Sequence, residues 1–376
     1  MEVHRVAVVQ PARRLIAALG AALFAALAAA QSSAPVLFQV SAGEKHGAIN
    51  RAGELVIPME YDEAVVTREG IARVRKGNRY AYLDAKGQRL LGPMDGGGEH
   101  FSQGLLAALG PSADGKTRWG YLDRSGSWAI APQFAAAEAF SNDRAVVGQQ
   151  DEWGRMKYGY VDLKGAMVVA PQYDKAGAFD RVARVEMERR PKLIDAQGKD
   201  VTPQGVDGFG VPSEGMTLVR KAKLVGFADE TGRLVVEPRF TSAQDFKGGL
   251  ARVWQDGKYG FVDRKGALVI APQFESASDF SEGLSAVRVD GRYGFIDATG
   301  KLVIAPRFEQ VRAFSDGLAA VREEKLWGYV DRTGAWKLTP RFQFANPFGG
   351  GLAFAGLPRE RGGWIDADGR VVWKRD

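Results

Sequence analysis

One short motif returns ten times along this chain, and a repeat at fixed period constrains a fold more tightly than any single residue can. Its clearest copies are Tyr259-Gly-Phe-Val-Asp263-Arg-Lys-Gly266, Tyr293-Gly-Phe-Ile-Asp297-Ala-Thr-Gly300 and Trp327-Gly-Tyr-Val-Asp331-Arg-Thr-Gly334. The motif Asp recurs as Asp84, Asp123, Asp162, Asp195, Asp229, Asp263, Asp297, Asp331 and Asp366, with Asn50 in the first slot. Successive spacings are 34, 39, 39, 33, 34, 34, 34, 34 and 35 residues. A Gly follows three positions later every time, including Gly87, Gly126, Gly165 and Gly232. A Pro then lies five or six residues further on in nine copies, as at Pro132, Pro272 and Pro306. Behind it comes an aromatic pair six apart, for example Phe240/Phe246, Phe274/Phe280 and Phe308/Phe314.

Residues 258–291 predict the local structure of one unit. Lys258–Asp263 is rich in aromatic and β-branched residues and reads as a strand. Asp263 to Gly266 reads as a turn, in which Asp hydrogen-bonds its own backbone and Gly supplies a positive φ. Ala267–Ile270 is a second strand, stopped by Pro272, which has no N–H to give a ladder. A loop pinned by Phe274 and Phe280 leads to a third strand, Leu284–Val289. Asp290-Gly291 then makes a two-residue hairpin into the next unit. The Gly before the second aromatic marks a close approach inside a strand, and a neighbouring aromatic ring is expected to lie over it. The Asp-Gly pairs Asp84/Gly87, Asp123/Gly126, Asp162/Gly165, Asp229/Gly232, Asp263/Gly266, Asp297/Gly300 and Asp331/Gly334 are therefore assigned as structural turns.

The combined pattern, from the aromatic-Gly pair through Pro-[Gln/Arg]-[Phe/Tyr] to Phe-Ser-[Glu/Asp]-Gly-Leu, resembles the WG repeat family, also called KWG repeats. The resemblance covers residues 45 to about 373 and implies a β-rich tandem array with no general catalytic role. It is weakest at 186–210, where Lys192-Leu-Ile-Asp195 lacks the aromatic-Gly pair, so a break or degenerate unit is expected there. The fold class is all-β: about ten units of ~34 residues as antiparallel hairpins or meanders. An open solenoid is favoured over a closed propeller, because solenoids admit any number of units while propeller blades typically number about four to eight.

The N-terminus reads as an export signal. Arg5, Arg13 and Arg14 precede a charge-free run from Leu15 to Ala30, and Ala28 and Ala30 form a small-residue cleavage site before Gln31. Residues 1–30 are thus expected to be a signal peptide and 31–376 the repeat array, periplasmic or extracellular, without a membrane span in the mature chain. The alternative is an uncleaved anchor, although the apolar run is shorter than the ~20 residues a span usually needs. Formal charge is +6 over 376 residues with no Lys/Arg stripe, which argues against nucleic acid. Cys is absent, which removes disulfides, thiolate metal sites and Cys nucleophiles.

Little chemistry is concentrated anywhere. Beyond residue 30 the only histidines are His46, in an aromatic slot, and His100, in an irregular loop after Gly96-Gly-Gly98. No cofactor, metal or catalytic residue is assigned; one Asp per unit at a turn does not resemble a calcium site, which clusters several oxygens. Two hairpins are lengthened, at Gly110–Lys116 and Gln149–Arg155, and should project from one side. Trp153 lies in the second and is the expected ligand contact, whereas Trp119 and Trp327 sit in strand slots and Trp128 and Trp336 in positions read as core. The function expected is a non-enzymatic binding or scaffold module whose partner is a protein. The alternatives are a cell-envelope glycan, held by exposed aromatics, and a hydrolase whose paired carboxylates depart from the repeat register. The pattern carries no signal for oligomeric state.

Overall fold

The computed structural model describes residues 36–67, 70–356 and 362–374; the expected signal peptide and its cleavage site lie outside them. Ten antiparallel sheets of three or four strands follow one another along the chain. Each sheet takes its longer strands from two sequence units. In the eighth, Leu284–Val289 closes one unit, Arg292–Asp297 and Leu302–Phe308 open the next, and the two-residue strand Ser276–Ala277 forms the first edge. That edge strand is missing from the three-stranded reading of the unit, because two residues carry no periodicity to detect. The hairpin Asp290-Gly291 has φ of 47° and 77°, the doubly left-handed form that matches strand twist.

The sheets form a closed ring of ten blades, not the open solenoid expected. A contact that recurs at every step demonstrates closure. The turn Gly of each blade packs on the last strand of the blade before: a Cβ on Gly87 would lie 2.5 Å from the Val56 carbonyl oxygen, and one on Gly266 equally close to that of Val235. Gly53, in the first blade, makes the same approach to Val372, in the tenth. The Arg51 side chain donates to the Gly350 carbonyl (2.7 Å), and the Trp364 indole N–H to the Gln39 carbonyl (3.3 Å). Phe38 and Trp364 meet edge to face at 5.1 Å within a cluster that includes Val40, Ile49 and Leu352. The solenoid expectation rested on the number of units, and ten exceeds the usual count of blades without preventing closure. What decides between solenoid and ring is the rotation from unit to unit, which leaves no mark on composition or period.

The core lies between blades. The second aromatic of each motif packs on the second Phe of the pair: Phe261 on Phe280 at 5.0 Å, Phe295 on Phe314 at 4.8 Å, Tyr329 on Phe348 at 4.7 Å. These rings are buried, and edge-to-face pairs add stabilisation beyond their buried area. Where the motif aromatic is Tyr, its hydroxyl donates to a loop carbonyl, Tyr160 to Gly177 at 2.9 Å and Tyr329 to Asn346 at 2.8 Å.

The motif glycine has a different reason from the ring contact expected. The third long strand of each blade, strand three (Leu302–Phe308 in the eighth, Leu268–Phe274 in the seventh), is bulged at its Pro, and the carbonyl two residues before that Pro occupies the space where a side chain would start. A Cβ on Gly260 would meet the Ile270 oxygen at 2.4 Å, and on Gly294 the Ile304 oxygen at the same distance. Gly47, Gly120, Gly159, Gly226 and Gly328 repeat this approach. Backbone, not an aromatic ring, excludes the side chain. In the second blade Ala81 holds the motif position, and the small residue has moved across to Gly92, whose missing Cβ faces the Tyr80 carbonyl at 2.6 Å.

The degenerate stretch is the end of the fifth blade. Its strands Ala183–Met187 and Arg190–Ile194 form, but strand three does not. Lys192 stands in the glycine position and turns to Asp200, 3.0 Å away. The Leu193 N–H is taken by the Thr202 hydroxyl at 3.0 Å, and the Val201 N–H donates to the Leu193 carbonyl. The array is not split there; Gly232 of the sixth blade still packs on Val201 of the fifth.

Candidate functional site

Hairpins joining the first and second long strands of each blade lie at one end of its sheet, and the Asp-Gly turns, which join the second and third, lie at the other. At the turns the geometry is uniform. One carboxylate oxygen of Asp84 accepts from the N–H of Lys86 and Gln88, that of Asp297 from Thr299 and Lys301, and Asp123, Asp162, Asp229, Asp263 and Asp331 do the same two and four residues on. Gly87, Gly126, Gly165, Gly232, Gly266, Gly300 and Gly334 all have φ between 75° and 86°. A hydroxyl at the next-but-one position adds a third donor at Asp297 and Asp331 and holds both carboxyls below the usual range. Each Asp spends its acceptors on its own turn. Among the described residues no three His, Asp or Glu side chains gather as a metal site.

Both lengthened hairpins belong to adjacent blades, the third and the fourth. The second is built around Asp151, which accepts from the N–H of Trp153 (3.0 Å) and Arg155 (2.9 Å) and pairs with the Arg155 side chain at 2.8 Å. Trp153 is thereby held at the tip with 70% of its surface exposed. The Arg155 guanidinium covers one face of the indole at 4.6 Å from the ring centre. In the third blade the Ser112 hydroxyl donates to Asp114 and to the Lys116 carbonyl, and Asp114 accepts from the Lys116 N–H. Trp128, read as core, is 38% exposed, because it lies beside Gly110 on the outside of the sheet. Trp327 is buried, while Trp119 and Trp336 are partly buried against neighbouring blades.

One cavity of about 320 Å³ gathers carboxylates: Glu214, Asp245 and Asp279 line it with Lys247. Burial, then the charge of Asp279, pushes the Asp245 carboxyl up. Burial also acts on Glu214, yet the N–H groups of Gly249 and Gly248 and the Arg264 guanidinium outweigh it and hold that carboxyl low. Asp245 and Asp279 occupy equivalent positions in successive units, so this pair keeps the repeat register instead of departing from it. Another groove, of about 450 Å³, runs over three blades and is lined by Arg252, Tyr293, Arg312 and Trp327. His46 lies 3.5 Å from the Gln39 amide, and His100 is exposed in its loop.

Fold and site together define an all-β ring of repeated blades. The pattern of the WG containing repeat matches at 47–80, 119–153, 158–187, 226–259, 259–293, 293–327 and 327–356, more than half of the chain, and the chain belongs to that family. No curated protein matches it. Among solved structures, puromycin hydrolase is 14% identical at a TM-score of 0.29, over 65% of this chain and 54% of its own. The extracellular domain of a putative one-component system from B. thetaiotaomicron is 9% identical at 0.27, over 89% and 57% respectively. Kluyveromyces lactis Hsv2 is 9% identical at 0.28, over 60% and 87%. The chain therefore spans little more than half the length of the first two, and none of these likenesses bears on function.

Proposed function

We propose that this is an exported, non-enzymatic binding protein whose partner is another protein, engaged on the rim that carries the two long hairpins. The observation that carries this reading is the Trp153–Arg155 pair, exposed yet held in place by Asp151. Protein interfaces draw most of their energy from a few Trp, Tyr and Arg anchors, and an anchor already ordered loses less entropy on binding. A sugar ring stacked on Trp153 would compete with Arg155 for that face, which favours protein over glycan at this hairpin. Export is supported by the basic, apolar and small-residue succession in residues 1–30. Binding rather than catalysis is supported by the repeated acids, which serve turns and inter-blade contacts.

The test is co-sedimentation of residues 31–376 with envelope material from the source cell, with and without prior protease treatment of that material. Retention lost after protease, and reduced at least tenfold by Trp153→Ala, supports the reading. Retention that survives protease and is indifferent to Trp153→Ala overturns it.

A further inference from the structure

The seam between the first and tenth blades differs from every other step around the ring. Elsewhere the chain itself passes from one blade to the next, and at six of the nine steps strand three runs within one residue of the next edge strand, as Phe308 does into Gln310. At the seam the first and last described segments, beginning at residue 36 and ending at residue 374, meet with no connecting chain between them. Side chains hold it, and beside them opens a cavity of about 480 Å³. That volume lies within the range of small-molecule sites, roughly 300–1,000 Å³.

Its lining is chemically distinct. Phe38, Phe354, Trp364 and Trp373 supply aromatic surface, and Gln39, Ser41 and Asn346 supply neutral polar groups. The rings form a connected run, Phe354 to Trp364 at 5.5 Å and Trp364 to Phe38 at 5.1 Å. Among the described residues no charged side chain lines it, whereas Arg252 and Arg312, the carboxylates near Asp245, or Asp84 with Lys86 line the other described cavities. The difference is written at one aligned position: Phe354 stands where the seventh blade has Arg252 and the eighth has Ala286.

We infer that the seam cavity binds an uncharged sugar, one apolar ring face laid on the Trp and Phe surfaces and its hydroxyls paired with Ser41 and Asn346. An aromatic face is electron-rich and attracts the weakly positive C–H groups of a pyranose. Neutral amides and hydroxyls both donate and accept, as sugar hydroxyls require. An acyl chain would fit the rings but leave the polar groups without partners as they lose water, a cost of about 1–3 kcal/mol each. A charged ligand would find no counter-ion. This site is independent of the Trp153 hairpin. It has one consequence for the fold: a ligand touching both end blades stabilises the closed ring by mass action.

The test uses the purified chain without envelope material, so its result is separate from the protein-capture experiment. Maltotriose, cellotriose and chitotriose are titrated against tryptophan fluorescence and melting temperature, with trigalacturonate and palmitate as charged and apolar probes. At least one neutral trisaccharide should saturate and raise the melting temperature. Asn346→Ala should weaken it about five- to tenfold without shifting the melting temperature of the free protein, and Trp373→Ala should abolish it. Absence of saturation by all three neutral sugars at millimolar concentration overturns the inference. So does palmitate binding that excludes them, or sugar binding unchanged in both variants.

Discussion

The eighth and fifth blades start from the same motif and end differently. In the eighth, Gly294 lets the bulged third strand bring the Ile304 carbonyl into the space of a side chain. In the fifth, Lys192 fills that position; strand three is not formed, and Thr202 takes over one backbone N–H. The close approach of the two strands therefore needs a residue without a Cβ at the crossing, the motif Gly in most blades and Gly92 on the facing strand in the second. Losing the strand does not open the ring, because the contact that joins blades runs through the turn glycine and survives at Gly232.

Converting the regular blade toward the irregular one should give the largest effect. Gly294→Lys places a side chain against backbone that cannot yield, and Gly260→Ala does so with a single methyl. Losses of about 4 and about 3 kcal/mol are expected in urea unfolding. Equal stability of Gly260→Ala and wild type would sink the steric account. Tyr160→Phe strips the half-buried Gly177 carbonyl of its donor and should cost about 1 kcal/mol, an interaction that Leu193 in the fifth blade does not make. Thr202→Ala should cost about 1 kcal/mol, with faster amide exchange at Leu193 as the local signature.

The smallest effect concerns the turns. Asp297 and Asp331 have folded pKa values held below the ordinary 3.8, first by the Thr299 and Thr333 hydroxyls. A carboxylate with a depressed folded pKa contributes stability that is complete above its unfolded value and lost as pH falls through the folded one. Melting temperature should therefore fall below about pH 4. Replacing both residues by Asn, the residue that performs the same turn at position 50, should flatten that fall. An unchanged acid limb in the double variant would remove these turns as its cause.

Much of the fold was legible because its determinants are local. Turn, hairpin and strand positions follow from Asp, Gly and the aromatic alternation within each unit, and the loss of register near Lys192 is visible as a missing pair. Three features are not local. Closure depends on a small rotation summed over ten blades, so Gly53 and Val372 meet although 319 positions separate their numbers. The use of Gly260 depends on where the Ile270 carbonyl goes, which a missing side chain cannot reveal. The seam site joins Phe38 to Trp364, Trp373 and Phe354, of which only Trp364 belongs to the repeated motif; aligning units column by column exposes Phe354, where Arg and Ala stand elsewhere. The exposure of Trp153 was legible because a lengthened hairpin leaves the repeat pattern, but its pairing with Arg155 needed the structure.

The central claim is that the ring is closed, and a cross-link across the seam tests it most directly. The chain has no Cys, so Arg51→Cys with Gly349→Cys introduces the only two thiols, and a Cβ at 349 meets nothing within 4 Å. A short bis-maleimide added to dilute monomer should join them within one chain, giving a looped product that migrates faster under denaturing conditions. If the two thiols react singly and only intermolecular products appear, the array is open and the account fails.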